Sequence, residues 1–276
     1  MKTLRIKPNP LFTLCVLLVI NSISYAQDYN TPPPPPPDYR PTYNQAGQDK
    51  DYTEPSGYSS INFGFANPIG SFASPTGSRY GGYAVPGYVF HFSLGIPIDH
   101  SNFGIAAMFG DYNNNYDLNS YAANNGESPL YPDQNYYSQS SFMAGLYITI
   151  PVGRLSIDGR VMLGALVSTL PEQDYGYMDA SENQYEFDMQ PSNTTNLAYD
   201  AGIGLRYLIV DFRRRSLCAM VNADFLYANA NYSTEQIEYY TPSINPTNVT
   251  YETDTPVNGH LNVELINITF GLGYQF

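Results

Sequence analysis

Residues 267–276 read NITFGLGYQF, and they fall into two sets by parity. Ile266, Ile268, Phe270, Leu272, Tyr274 and Phe276 are large and apolar, while Asn267, Thr269, Gly271, Gly273 and Gln275 are polar or small. Successive side chains of a strand point to opposite faces, so this stretch is a strand lying between two different media.

The same period of two recurs seven more times upstream, in segments starting near residues 58, 88, 103, 141, 155, 197 and 217. Ile61, Phe63 and Phe65 oppose Ser60, Asn62 and Gly64, and Phe90, Phe92 and Leu94 oppose His91, Ser93 and Gly95. The connections alternate in length. Those around residues 99–102, 151–154 and 211–215 are tight, whereas the others run to roughly 20 to 30 residues rich in Asn, Tyr, Asp, Ser and Pro. A soluble sandwich has no reason to sort its loops to opposite ends; a transmembrane barrel does, with turns in the periplasm and loops outside.

The charges decide which face meets lipid. Asp158 and Arg160 lie opposite Ile157, Val161 and Leu163; Asp200 and Arg206 opposite Tyr199, Ile203 and Leu205; Asp224 opposite Val221, Ala223 and Phe225. An Arg on the lipid side near mid-membrane costs about 2–4 kcal/mol, enough to impose this sorting residue by residue. Backbone groups in lipid must all be paired within the protein, so the sheet has to close. Tyr88, Tyr199, Tyr207, Tyr227, Tyr274, Phe103 and Phe276 sit towards strand ends on the apolar face, where aromatic girdles form. The expected fold is all-β: an eight-stranded antiparallel up-and-down transmembrane β-barrel over residues 58–276.

The start of the chain agrees. Lys2, Arg5 and Lys7 precede a ten-residue apolar run, then Ser24, Tyr25 and Ala26, so residues 1–26 read as a secretory signal peptide, too short in its apolar part to span a membrane. Cys15 lies inside that run, where cleavage for lipidation would cut the leader's core. Residues 27–57 are Pro/Tyr-rich, with six consecutive prolines at 32–37, and read as a disordered periplasmic linker or a docking peptide. Without the leader, Cys218 is the only cysteine, so no internal disulfide forms, and nine basic face 25 acidic groups, a net −16 that disfavours nucleic acid as a partner.

These features make the chain similar to small outer-membrane β-barrel proteins of the OmpA/OmpX, porin-like type, over residues 57–276. The resemblance implies a cell outer-membrane location, outer-membrane lipids around the barrel, and a last strand read by the barrel-assembly machinery, here through Phe270, Leu272, Tyr274 and Phe276. It says little about activity, because this fold hosts adhesins, enzymes and structural proteins alike. One departure is Leu261, Val263 and Leu265, which carry apolar residues on the opposite parity; a bulge, or an extension beyond the membrane, would account for it.

Candidate chemistry is sparse. His91, Asp158, Arg160, Asp200, Arg206 and Asp224 are expected to pair as a polar network inside a lumen only wide enough for side chains, or else to line a narrow conduit. His91, His100 and His260 are spaced for neither a metal site nor a Ser/His/acid hydrolase. "DYNNNYDLN" alternates oxygen-bearing residues as a calcium loop does, but Tyr116 and Ala122 stand where Gly and Glu are required, so it reads as a solvated loop. No cofactor is implied. The long connections collect Tyr and acids, among them Glu172, Asp174, Asp179, Glu186, Asp188, Glu235, Glu238, Glu252 and Asp254, a mixture suited either to mere solubility or to contact with a surface ligand or another envelope protein. The reading is a non-enzymatic structural or surface-interaction barrel, with a narrow porin-like channel, and less so an outer-membrane hydrolase, as rivals.

Overall fold

The computed structural model describes residues 57–74, 82–99, 101–125, 128–129, 136–179, 182–212, 215–241 and 251–276. The leader and the Pro-rich arm, as well as His100, lie outside the described residues.

The strands are β1 (Tyr58–Pro68), β2 (Gly87–Pro97), β3 (Phe103–Asn115), β4 (Ser128–Pro129), β5 (Tyr136–Val152), β6 (Leu155–Thr169), β7 (Gln173–Met178), β8 (Gln184–Met189), β9 (Asn193–Phe212), β10 (Arg215–Thr241) and β11 (Tyr251–Gln275). Eight of them, β1, β2, β3, β5, β6, β9, β10 and β11, are joined antiparallel in that order, and β11 returns to β1. That last pairing runs from Tyr58 opposite Gln275 to Pro68 opposite Leu265, and Phe276 N–H donates to the Gly57 carbonyl at 2.9 Å. The barrel therefore has no open edge along this seam.

Register sets the barrel's dimensions. A path from Gly273 to Ser60, Ser93, Met108, Met143, Gly164, Ala198 and Ala228 comes back to β11 at Val263, ten residues from where it began. At about 3.3 Å per residue against eight strands spaced about 4.8 Å, that stagger tilts the strands about 40° from the axis. Tyr199 and Tyr207 on β9 are then separated by about 20 Å along the axis, close to the apolar band of about 25 Å of such barrels. Both are exposed on the outer surface, as are Tyr88, Phe103, Tyr274 and Phe276.

The sorting of faces follows the parity of the sequence. Phe63, Phe65, Ile105, Leu146, Val161, Ile203, Phe270 and Leu272 point outward, while Asn62, His91, Met108, Ser141, Met162, Asn222 and Thr269 are buried within the ring. Tight turns close one end, with Asp99 and Gly153 at positive φ. A left-handed conformation at Gly153 costs nothing sterically and lets β5 pass to β6 through Gly153 and Arg154 alone.

At the other end three features bear on the sequence reading, and the first two favour the extension beyond the membrane over the bulge that it offered as alternatives. The apolar positions Leu261, Val263 and Leu265 need no bulge: β10 and β11 pair without a register shift from Ser216/Gln275 to Tyr240/Tyr251, and these three side chains face inward against Ala230, Ala228 and Leu226. They are the apolar side of an upper lumen that also buries Asn114, Gln139 and Ser168. Secondly, β10 and β11 span 27 and 25 residues, against about 9–11 for a membrane crossing. Their outer halves continue past the lipid, where β8 pairs with β10 at residues 236–241, β7 with β8, and β4 with β7. Connections read as long loops thus contain strands that extend the barrel sheet beyond the membrane. Where β9 leaves β10 above Ala228, side chains close the gap: Thr194 Oγ1 donates to the Asn231 carbonyl at 2.5 Å, and Ser192 Oγ to that of Ser233 at 2.7 Å.

Thirdly, "DYNNNYDLN" is not a solvated loop. Asp111 to Asn115 belong to β3, and Asp117 caps the helix Leu118–Asn125 by accepting from Ser120 N–H at 3.0 Å and Ser120 Oγ at 2.6 Å.

The lipid-facing assignment has a direct test. Val161, 67% exposed and flanked by Leu146 and Ala201 on its neighbours, sits in the apolar band. Val161→Arg is expected to lower unfolding stability in lipid vesicles by about 2–4 kcal/mol in a urea titration; a variant of unchanged stability would place this face in water.

Candidate functional site: the filled lumen

The six charged or titratable residues singled out from the sequence all lie inside the ring: His91, Asp158, Arg160, Asp200, Arg206 and Asp224. They come from β2, β6, β9 and β10. Two ion pairs form at two levels. Nearer the short-turn end, Arg206 Nη2 approaches Asp158 Oδ1 at 3.1 Å and donates to Thr149 Oγ1 at 2.9 Å, while Thr149 itself donates to Asp158. The Arg206 guanidinium also lies 4.6 Å from the centre of the Tyr58 ring, which meets Tyr147 edge-on at 5.8 Å.

One level higher, Arg160 and Asp224 make a forked pair, with Nε to Oδ1 at 2.9 Å and Nη2 to Oδ1 and Oδ2 at 2.5 and 2.6 Å. A Cβ at Gly202, between them on β9, would run into both side chains, so Gly there makes room for the pair. His91 lies alongside, its Nδ1 3.9 Å from Asp224 and its Nε2 3.1 Å from the Tyr112 hydroxyl, which is 3.2 Å from Ser141 Oγ. Asp200 stands between Met162 and Leu226, buried, and neither carboxylate oxygen has a hydrogen-bond partner among the described residues.

Three groups that hold this network, Tyr58, Tyr112 and Thr149, were not singled out beforehand. Their inward parity was readable, since each continues the lumen face of its strand, but the stagger of ten residues decides which inward positions meet, and no single strand carries that information. The histidines stay apart: His91 is enclosed, whereas His260 is exposed on the outer part of β11 opposite Asn231. Among the described residues no three His, Cys, Asp or Glu side chains are grouped to hold a metal ion.

Above the charges large apolar side chains join the buried polar residues Asn114, Gln139 and Ser168 in the lumen. Leu166, Leu226, Val263, Leu265 and Ala66 are fully buried there. The helical turn Gly70–Ala73, just past β1, folds back over the mouth and inserts Phe72, which packs against Tyr137 at 4.9 Å. Backbone bonds from Gly82 to Ser71 and from Ala84 to Phe72, each 3.0 Å, fasten this segment, and Tyr137 donates to the Gly82 carbonyl at 2.6 Å.

A closed ring of eight antiparallel strands, apolar and banded with aromatics outside, polar and filled within, is a small transmembrane β-barrel. Tight turns at one end and long connections at the other give it the architecture of outer-membrane barrels of the OmpA/OmpX type. No family model and no curated protein matches the chain. Among solved structures it is similar to Neisserial surface protein A (14% identity, TM-score 0.42, 80% of this chain and 97% of that one). It is also similar to the outer membrane protein OprG from Pseudomonas aeruginosa (13%, 0.42, 82% and 98%) and to the Yersinia pestis outer membrane protein Ail (14%, 0.33, 80% and 99%). These are likenesses of strand arrangement.

The forked pair has a clear energetic signature. Arg160→Met leaves Asp224 buried and uncompensated and is expected to cost about 3–5 kcal/mol in a vesicle unfolding titration, whereas the double variant Arg160→Met/Asp224→Leu should recover most of that loss. Equal destabilisation by the single and the double change would mean the pair does not interact.

Proposed function

We propose that the protein is an integral outer-membrane barrel that neither conducts nor catalyses, and that it acts by presenting its outer end to a surface ligand or another envelope protein. The observation that carries this is the occupancy of the lumen: ion pairs at two levels, a layer of fully buried side chains above them, and Phe72 folded over the mouth. A barrel filled in this way has only its outer surface left to work with. On that surface β7, β8 and the outer halves of β10 and β11 form a sheet that the membrane crossing does not require. The charge-lined lower lumen and the unpartnered Asp200 carboxylate favour the narrow channel as a second reading.

Reconstitution in planar bilayers separates the two. Negligible conductance is expected from the purified protein; stable unitary currents that change with Asp200→Asn would establish the channel instead.

The strand that closes the barrel also carries a proposed role in assembly. Phe270, Leu272, Tyr274 and Phe276 are exposed on the outer face of β11, where the barrel-assembly machinery is proposed to read them. Phe276→Ala is expected to lower the fraction of protein that shows heat-modifiable gel migration in isolated outer membranes several-fold, while leaving refolding of the purified chain in detergent intact. Equal loss in both assays would mark Phe276 as a packing residue only.

A further inference from the structure

The outer end encloses a cavity of about 490 Å³, within the range of small-ligand sites. Its floor is a cluster of three buried tyrosines, Tyr116, Tyr121 and Tyr137, with ring centres 5.9 to 6.1 Å apart where Tyr116 meets the other two. Phe187 from β8 and Tyr232 from β10 add two more rings at the side. The floor is firmly held: Tyr121 stands on the helix capped by Asp117, and Tyr137 is tied to the Gly82 carbonyl. These residues come from five separate segments and converge only in the folded barrel.

The aromatic surface continues towards solvent. On β8, Tyr185 shares a face with Phe187, and the register sets Tyr177, Tyr185 and Tyr240 directly opposite one another on β7, β8 and β10. Tyr177 and Tyr185 are stacked at 4.7 Å with a 9° interplanar angle, Tyr185 and Tyr240 lie 5.0 Å apart, and Tyr177 is 5.9 Å from Phe187. A row of rings thus leads from the rim to the cavity wall.

Electrostatics selects among ligands. Among the described residues Glu238 is the one charged side chain in the lining, and the rest of the polar lining is supplied by neutral groups such as Gln173, Gln236 and Asn258. The sheet around it carries Glu186, Asp188, Glu235, Glu252 and Asp254, and among the described residues its outer part has no Lys or Arg. An anion would meet Glu238 and this field unfavourably. A bare metal ion would find a single carboxylate, too few oxygens for a hard cation. Ring faces, by contrast, attract a cation within about 6 Å, and more strongly once it is desolvated.

We propose that this cavity is a binding site for a small organic cation, an ammonium group with compact apolar substituents, held against the rings with Glu238 as its counter-charge. The acidic outer surface concentrates such cations at the mouth, and the tyrosine row offers them successive ring faces on the way in. The proposal rests on the reading of the outer end as a recognition surface and names the chemistry it recognises.

The test uses the full chain in lipid nanodiscs, followed by intrinsic tyrosine fluorescence, since the protein has 27 Tyr and no Trp, and by calorimetry. Choline is compared with dimethylbutanol, its uncharged carbon isostere. Choline should bind saturably, more weakly as salt rises, and about tenfold or more tighter than the isostere. Glu238→Gln and Tyr232→Leu should each weaken choline about tenfold while Tyr232→Phe stays near the parent, with heat-modifiable migration showing that every variant is folded. Equal affinity for the isostere would make the cavity a merely apolar site and overturn the proposal. So would absence of choline binding, or parent-like affinity in both Glu238→Gln and Tyr232→Leu. A protein that remains non-conducting but ignores choline would refute this inference alone; one that conducts would refute the filled-barrel reading whatever choline does.

Discussion

Hydrocarbon offers no partner to a backbone N–H or C=O, and everything else in this structure depends on satisfying that constraint. An unpaired amide in lipid costs several kcal/mol, so a sheet of this length has one solution, which is to end where it began. The pairing of β11 with β1 supplies it, down to the bond between Phe276 and Gly57. Closure at eight strands with a stagger of ten residues then leaves an interior narrow enough for side chains to fill. The exterior has to be apolar for the same reason that the seam has to be paired.

The interior answers a different demand. Arg and Asp inside a narrow barrel lose much of their hydration, and the forked Arg160–Asp224 pair, Arg206 with Asp158 and Thr149, and the Tyr58 ring return part of what water supplied. Such pairs contribute less to net stability than apolar packing of equal volume would. Their consequence lies rather in specificity, since each Arg has its acid at one relative register of β6, β9 and β10. A one-residue slip would turn every one of these charges outward into lipid. Asp200, a third acid beside two arginines, stands outside this pairing.

The outer end is free of both demands, and there the chain builds something the membrane does not require. The β10–β11 hairpin rises past the lipid, recruits β8, β7 and β4 along one edge, and with the capped helix and β5 encloses an aromatic chamber. Tyr suits such a place because its ring packs while its hydroxyl can find a partner, as that of Tyr137 does in the Gly82 carbonyl. The charge of the protein is also polarised. The acids crowd the outer sheet, which among the described residues has no Lys or Arg, so that end presents a negative field to whatever approaches.

A period of two with a purely apolar face is legible in any single strand, because a pleated backbone alternates its side chains whatever surrounds it. Ile61, Phe63 and Phe65, or Ile266 to Phe276, thus announced their medium before any partner was known, and the sorting of short and long connections announced the barrel. The inward placement of His91, Asp158, Arg160, Asp200, Arg206 and Asp224 was equally a matter of parity. What parity cannot reveal is which strand lies beside which position: that Arg160 meets Asp224 and not Asp200, that Tyr58 lies under Arg206, or that Leu261, Val263 and Leu265 face the upper lumen and mark no bulge. Those facts depend on the stagger around a closed ring, a property of all eight strands together. The tyrosine chamber was illegible for a stronger reason, since its walls come from segments whose local pattern is that of polar loops. Only the rise of β10 and β11 beyond the lipid brings them into register.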